Sequence, residues 1–181
     1  MKPDLRAGWQ AAAVGYTVGM IAGTLAGAWP QSAFLNALAL FGLLYFLYGL
    51  WRVAKASQRP EVFYLNLWAT LIEFASMVLF GLALIPMVSE SGFQLSTGSL
   101  LLALLAYAGF VYGVYLEMKG LTALSQVGQV PLLAKAARWV FIGALLAPVL
   151  IGLFLMLGGY VAVAVGLWQG PKLRADAEPE V

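Results

Sequence analysis

The stretch WQAAAVGYTVGMIAGTLAGAW, residues 9–29, decides the fold class of this chain. It carries no charge, and at 1.5 Å per residue a helix of this length reaches about 30 Å, one bilayer core. Trp9 and Trp29 stand at its two ends, where amphipathic rings favour the membrane interface, and Pro30 closes it. Every fourth residue is small: Ala11, Gly15, Gly19, Gly23 and Gly27. An i, i+4 row runs along one helix face, so one side of this helix is nearly bare of side chains. In lipid such a face lets a second backbone approach closely. Two occupants are expected for it: a neighbouring helix of the same bundle, or a second copy in a homo-oligomer.

The rest of the chain agrees with a membrane protein. It has 181 residues, of which 62% are hydrophobic and 10% charged, against about 25% charged in a typical soluble domain. The apolar runs are long and continuous, unlike the short alternating strands of a membrane β-barrel. The expected class is an all-α, polytopic helix bundle. Ala26-Gly27-Ala28 resembles a signal cleavage site, but the apolar run is longer than a signal h-region of about 7–15 residues. It reads as a retained span.

Four further spans are expected at about 33–53, 61–86, 98–118 and 139–168, marked off by Pro60, Pro86 and clusters of charge. Residues 119–137 hold Lys119, Lys135 and Pro131 among leucines and read as an interfacial segment. Residues 171–181 read as a disordered polar tail. The last span is long, and Pro148 suggests a kink or tilt. Gly109 and Gly113 form a second close-contact pair, and Gly152, Gly159 and Gly166 recur every seventh residue as a third. Placing the N-terminus and the loops at 52–61 and 117–138 on one side gathers Lys2, Arg6, Arg52, Lys55, Arg59, Lys119, Lys135 and Arg138 there. The positive-inside rule makes that side cytoplasmic, with the C-terminus outside after five spans.

The chain has no Cys and no His. This excludes thiol chemistry, His-ligated haem and the usual zinc sites, and no metal or cofactor is expected. No nucleophile has an apparent base, so no enzyme activity is expected. A formal net charge of +2 gives no ground for a nucleic-acid partner; the lipid bilayer and other membrane helices are the expected partners. Arg52, Lys55 and Arg59 set topology, with anionic headgroups as a further candidate for them.

Glu73 is the one acid well inside an expected span. An ionised carboxylate at mid-membrane costs at least ~2.5–3.5 kcal/mol, and no Lys, Arg or His lies at similar depth. Asn66, Thr70 and Ser76 share its helix face. Asn36, Tyr16, Thr17, Tyr107 and Tyr112 are candidate partners from other helices, while Glu117 is expected at the cytoplasmic boundary, solvated or paired with Lys119 or Arg138. Two readings follow for Glu73: a proton or cation relay, or a neutral acid hydrogen-bonded across helices to fix register.

Two stretches resemble a prokaryotic membrane family known as domain of unknown function nine-nine-six. One is Leu50-Trp51-Arg52-Val53-Ala54-Lys55 followed by Arg59-Pro60-Glu61-Val62-Phe63. The other runs from Leu121-Thr122-Ala123-Leu124-Ser125 through Gly128, Leu133 and Ala136-Ala137 to Phe141-Ile142-Gly143-Ala144 and Leu150-Ile151-Gly152. The resemblance implies five spans, a prokaryotic cytoplasmic membrane and no assigned activity. The expected role is a non-enzymatic accessory or assembly bundle acting through helix contacts. The alternative is a small proton- or cation-coupled transporter or channel using Glu73.

Overall fold

A computed structural model describes residues 3–85, 88–89, 92–93 and 96–175. The helices are α1 (Pro3–Ala28), α2 (Ala33–Ser57), α3 (Glu61–Leu84), α4 (Thr97–Gly128), α5 (Pro131–Leu145) and α6 (Ile151–Ala175). Between α3 and α4 a minimal antiparallel pairing joins β1 (Val88–Ser89) to β2 (Gly92–Phe93). Five helices, all but α5, are long and apolar enough to cross a membrane. Large apolar side chains such as Phe34, Phe74, Leu150 and Phe154 cover the outside, a surface that only lipid can solvate without penalty.

The helices pack as three hairpins. α1 pairs with α2, α3 with α4, and α5 with α6; α2 then meets α3, α4 meets α5, and α6 returns to α1, closing a ring in sequence order. Local chemistry makes the turns. Gln58 and Gln129 take the left-handed conformation that ends a helix, and each is followed two residues later by a proline, Pro60 or Pro131, that starts the next. Ser32 and Ser96 cap α2 and α4, accepting hydrogen bonds from Leu35 N and Ser99 N at 3.3 and 3.0 Å.

The glycine row of α1 is half used, and α2 is its occupant. A Cβ on Gly15 would lie 2.7 Å from the Gly42 carbonyl oxygen, and one on Gly19 would lie 3.4 Å from the Gly42 backbone. Gly8 and Ala12 meet the Arg52–Val53 and Gly49 backbones, so the antiparallel register pairs 12 with 49 and 19 with 42. Among the described residues, nothing lies within 4 Å of a Cβ built on Gly23 or Gly27.

The expected single span 139–168 is corrected to a helical hairpin. α5 begins at Pro131, α4 continues to Gly128, and the expected interfacial segment 119–137 is divided between them. The chain turns at 146–150, where Pro148 cannot continue the helix, and α6 runs back along α5. Gly159 faces Val140, with 2.6 Å from its built Cβ to Val140 Cγ2, and Gly166 faces Leu133 at 2.8 Å. Gly152 lies against the Leu146 backbone. The seven-residue seam is thus the α5 contact. The Tyr107 hydroxyl donates to the Ala144 and Leu145 carbonyls, 3.0 Å each, satisfying part of the helix end that the turn exposes. α6 extends to Ala175, so 171–175 are helical; 176–181 lie outside the described residues.

Because α6 returns, its end lies beside the start of α1. The expected separation of the two chain ends across the membrane rested on reading 139–168 as one helix. Instead, Trp9 Nε1 donates to the Leu167 carbonyl at 2.6 Å. Trp9 is not an interfacial anchor: it is 2% exposed and joins the main core of Leu50, Val53, Val62, Leu121, Leu124, Leu133 and Leu167. That core ties all six helices together at one end of the bundle.

Candidate functional site

Glu73 sits about a dozen residues from either end of α3, on the face turned toward α4. Three polar residues of this face meet three glycines of α4. Asn66 lies over Gly120, with Asn66 Cγ 2.8 Å from a built Cβ; Glu73 lies over Gly113, with its Cγ at 2.6 Å; Ser76 lies over Gly109, with its Oγ at 2.5 Å. The antiparallel register matches a polar side chain on one helix to a missing side chain on the other. The Gly109/Gly113 pair is a seat for this polar stripe rather than an interface with another chain. The space above each glycine lets a polar group be buried between helices that still pack closely.

Glu117, one turn from Gly113 on α4, joins the same site. Glu117 is half-buried, and among the described residues it forms no ion pair with Lys119 or Arg138, one of the two states expected for it. Its Oε2 is buried without a hydrogen-bond partner among the described residues, and Glu117 and Glu73 lie within electrostatic reach of each other. Tyr16 from α1 and Tyr160 from α6 lie close enough to feel the charge of both carboxylates, and the Tyr16 hydroxyl makes no hydrogen bond to either. Glu73 Oε1, Tyr16 OH and Asn66 Oδ1 are also buried without a partner. Three hairpins therefore each send polar groups to one level near mid-helix, and two of those groups are acids with no cation between them. Such groups are costly to leave unmatched in a low-dielectric interior.

The other expected site residues divide cleanly. Thr70 donates from Oγ1 to the Asn66 carbonyl at 2.9 Å and Asn66 Nδ2 to the Val62 carbonyl at 2.7 Å, both back-bonds within α3. Asn36 is exposed and donates to the Pro30 and Ser32 carbonyls, 3.0 Å each; it belongs to the turn before α2, away from Glu73. Tyr107 serves the α5 end, Tyr112 is exposed, and Thr17 accepts from Trp168 Nε1 at 3.0 Å. The sequence signal for Glu117 was its i+4 spacing from Gly113. Tyr160 gave no signal in a helix read as part of a single long span.

Basic side chains occupy the end of the bundle where the main core lies. Arg52 pairs with Asp4 at 2.8 Å and Arg59 with Gln126 at 2.8 Å, and Lys119 lies over the Tyr115 ring at 4.8 Å. Among the described residues no group of three or more acid, His or Cys side chains is placed to hold a metal. Comparison with protein-family models, curated proteins and solved structures returned no match.

Proposed function

We propose that this protein is an integral membrane carrier of protons or a small cation, with Glu73 and Glu117 as the groups that take up the charge. The observation carrying this reading is Glu73 seated on Gly113 at mid-helix with Glu117 one turn further along α4, Glu73 Oε1 and Glu117 Oε2 both buried without a hydrogen-bond partner among the described residues. Intramembrane acids facing a bundle interior mark ion or proton pathways. The basic end faces the cytoplasm by the positive-inside rule, in a prokaryotic cytoplasmic membrane, and the described ends of α1 and α6 lie on that side. The test is reconstitution into vesicles with an internal pH dye. Proton flux is expected in the native protein and lost in Glu73→Gln, which keeps shape and removes titration. Equal flux in both overturns the proposal.

A second reading, an assembly component acting through helix contacts, is favoured by Gly23 and Gly27, whose face on α1 no other helix covers among the described residues. Most of the remaining close-contact glycines are occupied within the chain. Purification in mild detergent tests it: a monomer with no co-purifying membrane protein argues against assembly.

A further inference from the structure

We propose that the groove between the end of α2 and the start of α3 binds an anionic phospholipid, with Lys55 meeting the phosphate and the stacked rings of α2 meeting an acyl chain. The site lies at the basic end of the bundle and is independent of Glu73 and Glu117.

The groove is the first observation. It has a volume of about 290 Å³, lined by Trp51, Ala54, Lys55 and Gln58 on the α2 side and by Phe63 and Tyr64 of α3. Sites for small molecules run from about 300 to 1,000 Å³, so this one suits a headgroup rather than a whole lipid. Trp51 and Tyr64 are exposed on either side of it, and Ala54 is buried beneath. Such rings favour the headgroup level of a membrane.

Charge is the second. Arg52, Lys55 and Arg59 flank the turn, and two of them are engaged. Arg52 pairs with Asp4 at 2.8 Å, while Arg59 donates to Gln126 at 2.8 Å and stands 3.7 Å from Glu61. Lys55 forms no ion pair among the described residues. Its Nζ stands 5.5 Å from the centroid of the Trp51 ring. An aromatic face holds an ammonium in place and leaves its N–H groups free to donate to a further partner. The Ala54 carbonyl, an acceptor that would repel an anion, is taken by the N–H groups of Gln58 and Arg59. The carboxylate of Glu61 is offset by Arg59. Among the described residues the groove therefore presents an unmatched positive charge, which complements a phosphate.

The third observation selects a lipid over a soluble phosphate. Phe41, Tyr45, Tyr48 and Trp51 stack in order along α2, with successive centroids 5.8, 6.1 and 6.1 Å apart. Phe41, Tyr48 and Trp51 are exposed on the outside of the bundle. The row spans ten residues, about 15 Å of helix, half of a hydrocarbon core of about 30 Å. Trp51 belongs both to this row and to the groove. A phosphate at Lys55 thus places the attached chain on a continuous apolar strip one leaflet deep. Basic residues beside a span attract anionic lipids; the groove and the strip give one of them a fixed seat.

The test titrates the full chain in detergent micelles with phosphatidylglycerol or phosphatidylcholine of the same chain length, and counts retained lipids by native mass spectrometry. Saturable retention of phosphatidylglycerol is expected, with a preference of about fivefold, the worth of a single basic residue near a headgroup. Lys55→Gln should abolish the preference and Lys55→Arg should keep it. Lys135→Gln, which removes a charge outside the groove, should leave it unchanged. Trp51→Leu should weaken retention about threefold or more. Melting curves confirm that each variant is folded, and Tyr48→Leu replaces Trp51→Leu if that one is not. Equal retention of the two lipids overturns the inference, as does a preference that survives Lys55→Gln or falls equally in Lys135→Gln. Retention untouched by the ring variants overturns the chain-binding strip. Glycerol phosphate competing as well as the intact lipid overturns the lipid in favour of a soluble phosphate.

Discussion

Glu73 of α3 rests directly on Gly113 of α4, close enough that a Cβ at residue 113 would come within 2.6 Å of Glu73 Cγ. This contact holds a carboxylate in the bundle interior without parting the helices. Its consequence is that Gly113→Ala acts on the site rather than on the fold. The added methyl should push Glu73 aside, costing about 1–3 kcal/mol by overpacking. Proton flux should fall sharply while the protein still folds; unchanged flux with normal melting would show that Glu73 is free to move.

The two ends of the α1 glycine row should respond in opposite ways. Gly15→Leu drives a side chain into the α2 backbone and should abolish a stable fold or lower the melting temperature by many degrees. Gly23→Leu projects into open space and should be within about 0.5 kcal/mol of native, as surface changes are. Thermal unfolding in detergent checks both. A large loss in Gly23→Leu would reveal an occupant from another chain.

Trp9 closes the ring between α1 and α6. Trp9→Phe removes the donor to the Leu167 carbonyl and should cost about 0.5–1.5 kcal/mol. Trp9→Ala also leaves a cavity beside Gly128 and Gly170 and should cost about 3–5 kcal/mol. Unfolding in denaturing detergent, followed by tryptophan-independent circular dichroism, separates the two; equal losses would mean that the hydrogen bond alone holds the ring.

Glu73 and Glu117 are neighbours of like kind with no basic residue between them. Changing either to Gln should leave stability equal or raised, since it removes a buried acid. The double variant should depart from additivity by about 0.5–3 kcal/mol, the range for residues in contact. Additive single effects would place the two acids too far apart to act as one site.

The turn at 146–150 depends on Tyr107. Tyr107→Phe removes the hydroxyl that serves Ala144 and Leu145 and should cost about 0.5–1.5 kcal/mol. Amide exchange should speed up around residues 146–153 and not in α3. Uniform exchange across the chain would argue against a local role.

Much of the bundle was legible in the chain because lipid imposes a simple rule: backbone groups must bond within each span, so apolar length and charge mark the helices. α2, α3 and α4 begin within one residue of the expected positions, while α1 begins at Pro3, six residues before the expected Trp9. Glycine spacing likewise marked faces of close approach, and Gly15, Gly19, Gly113, Gly152, Gly159 and Gly166 all lie at such contacts. The hairpin at Pro148 was not legible, because α5 is only 15 residues long and its apolar character merges with that of α6. Asn36 was misplaced for a similar reason: polarity within an apolar run does not say whether a residue faces the interior or serves its own helix turn.

The sequence by itself determined that this is a helical membrane protein, where α2, α3 and α4 begin, and that Glu73 is an acid set among apolar residues. Periodicity and hydropathy are local properties, and they suffice for that. Tertiary structure decided the rest: that α2 fills half of the groove of α1, that α6 turns back to meet Trp9, and that Glu73 is seated on Gly113 one turn from Glu117. Those relations depend on the register between helices. In lipid that register is set by the fit of small residues against large ones across two surfaces, and no single helix carries that information alone.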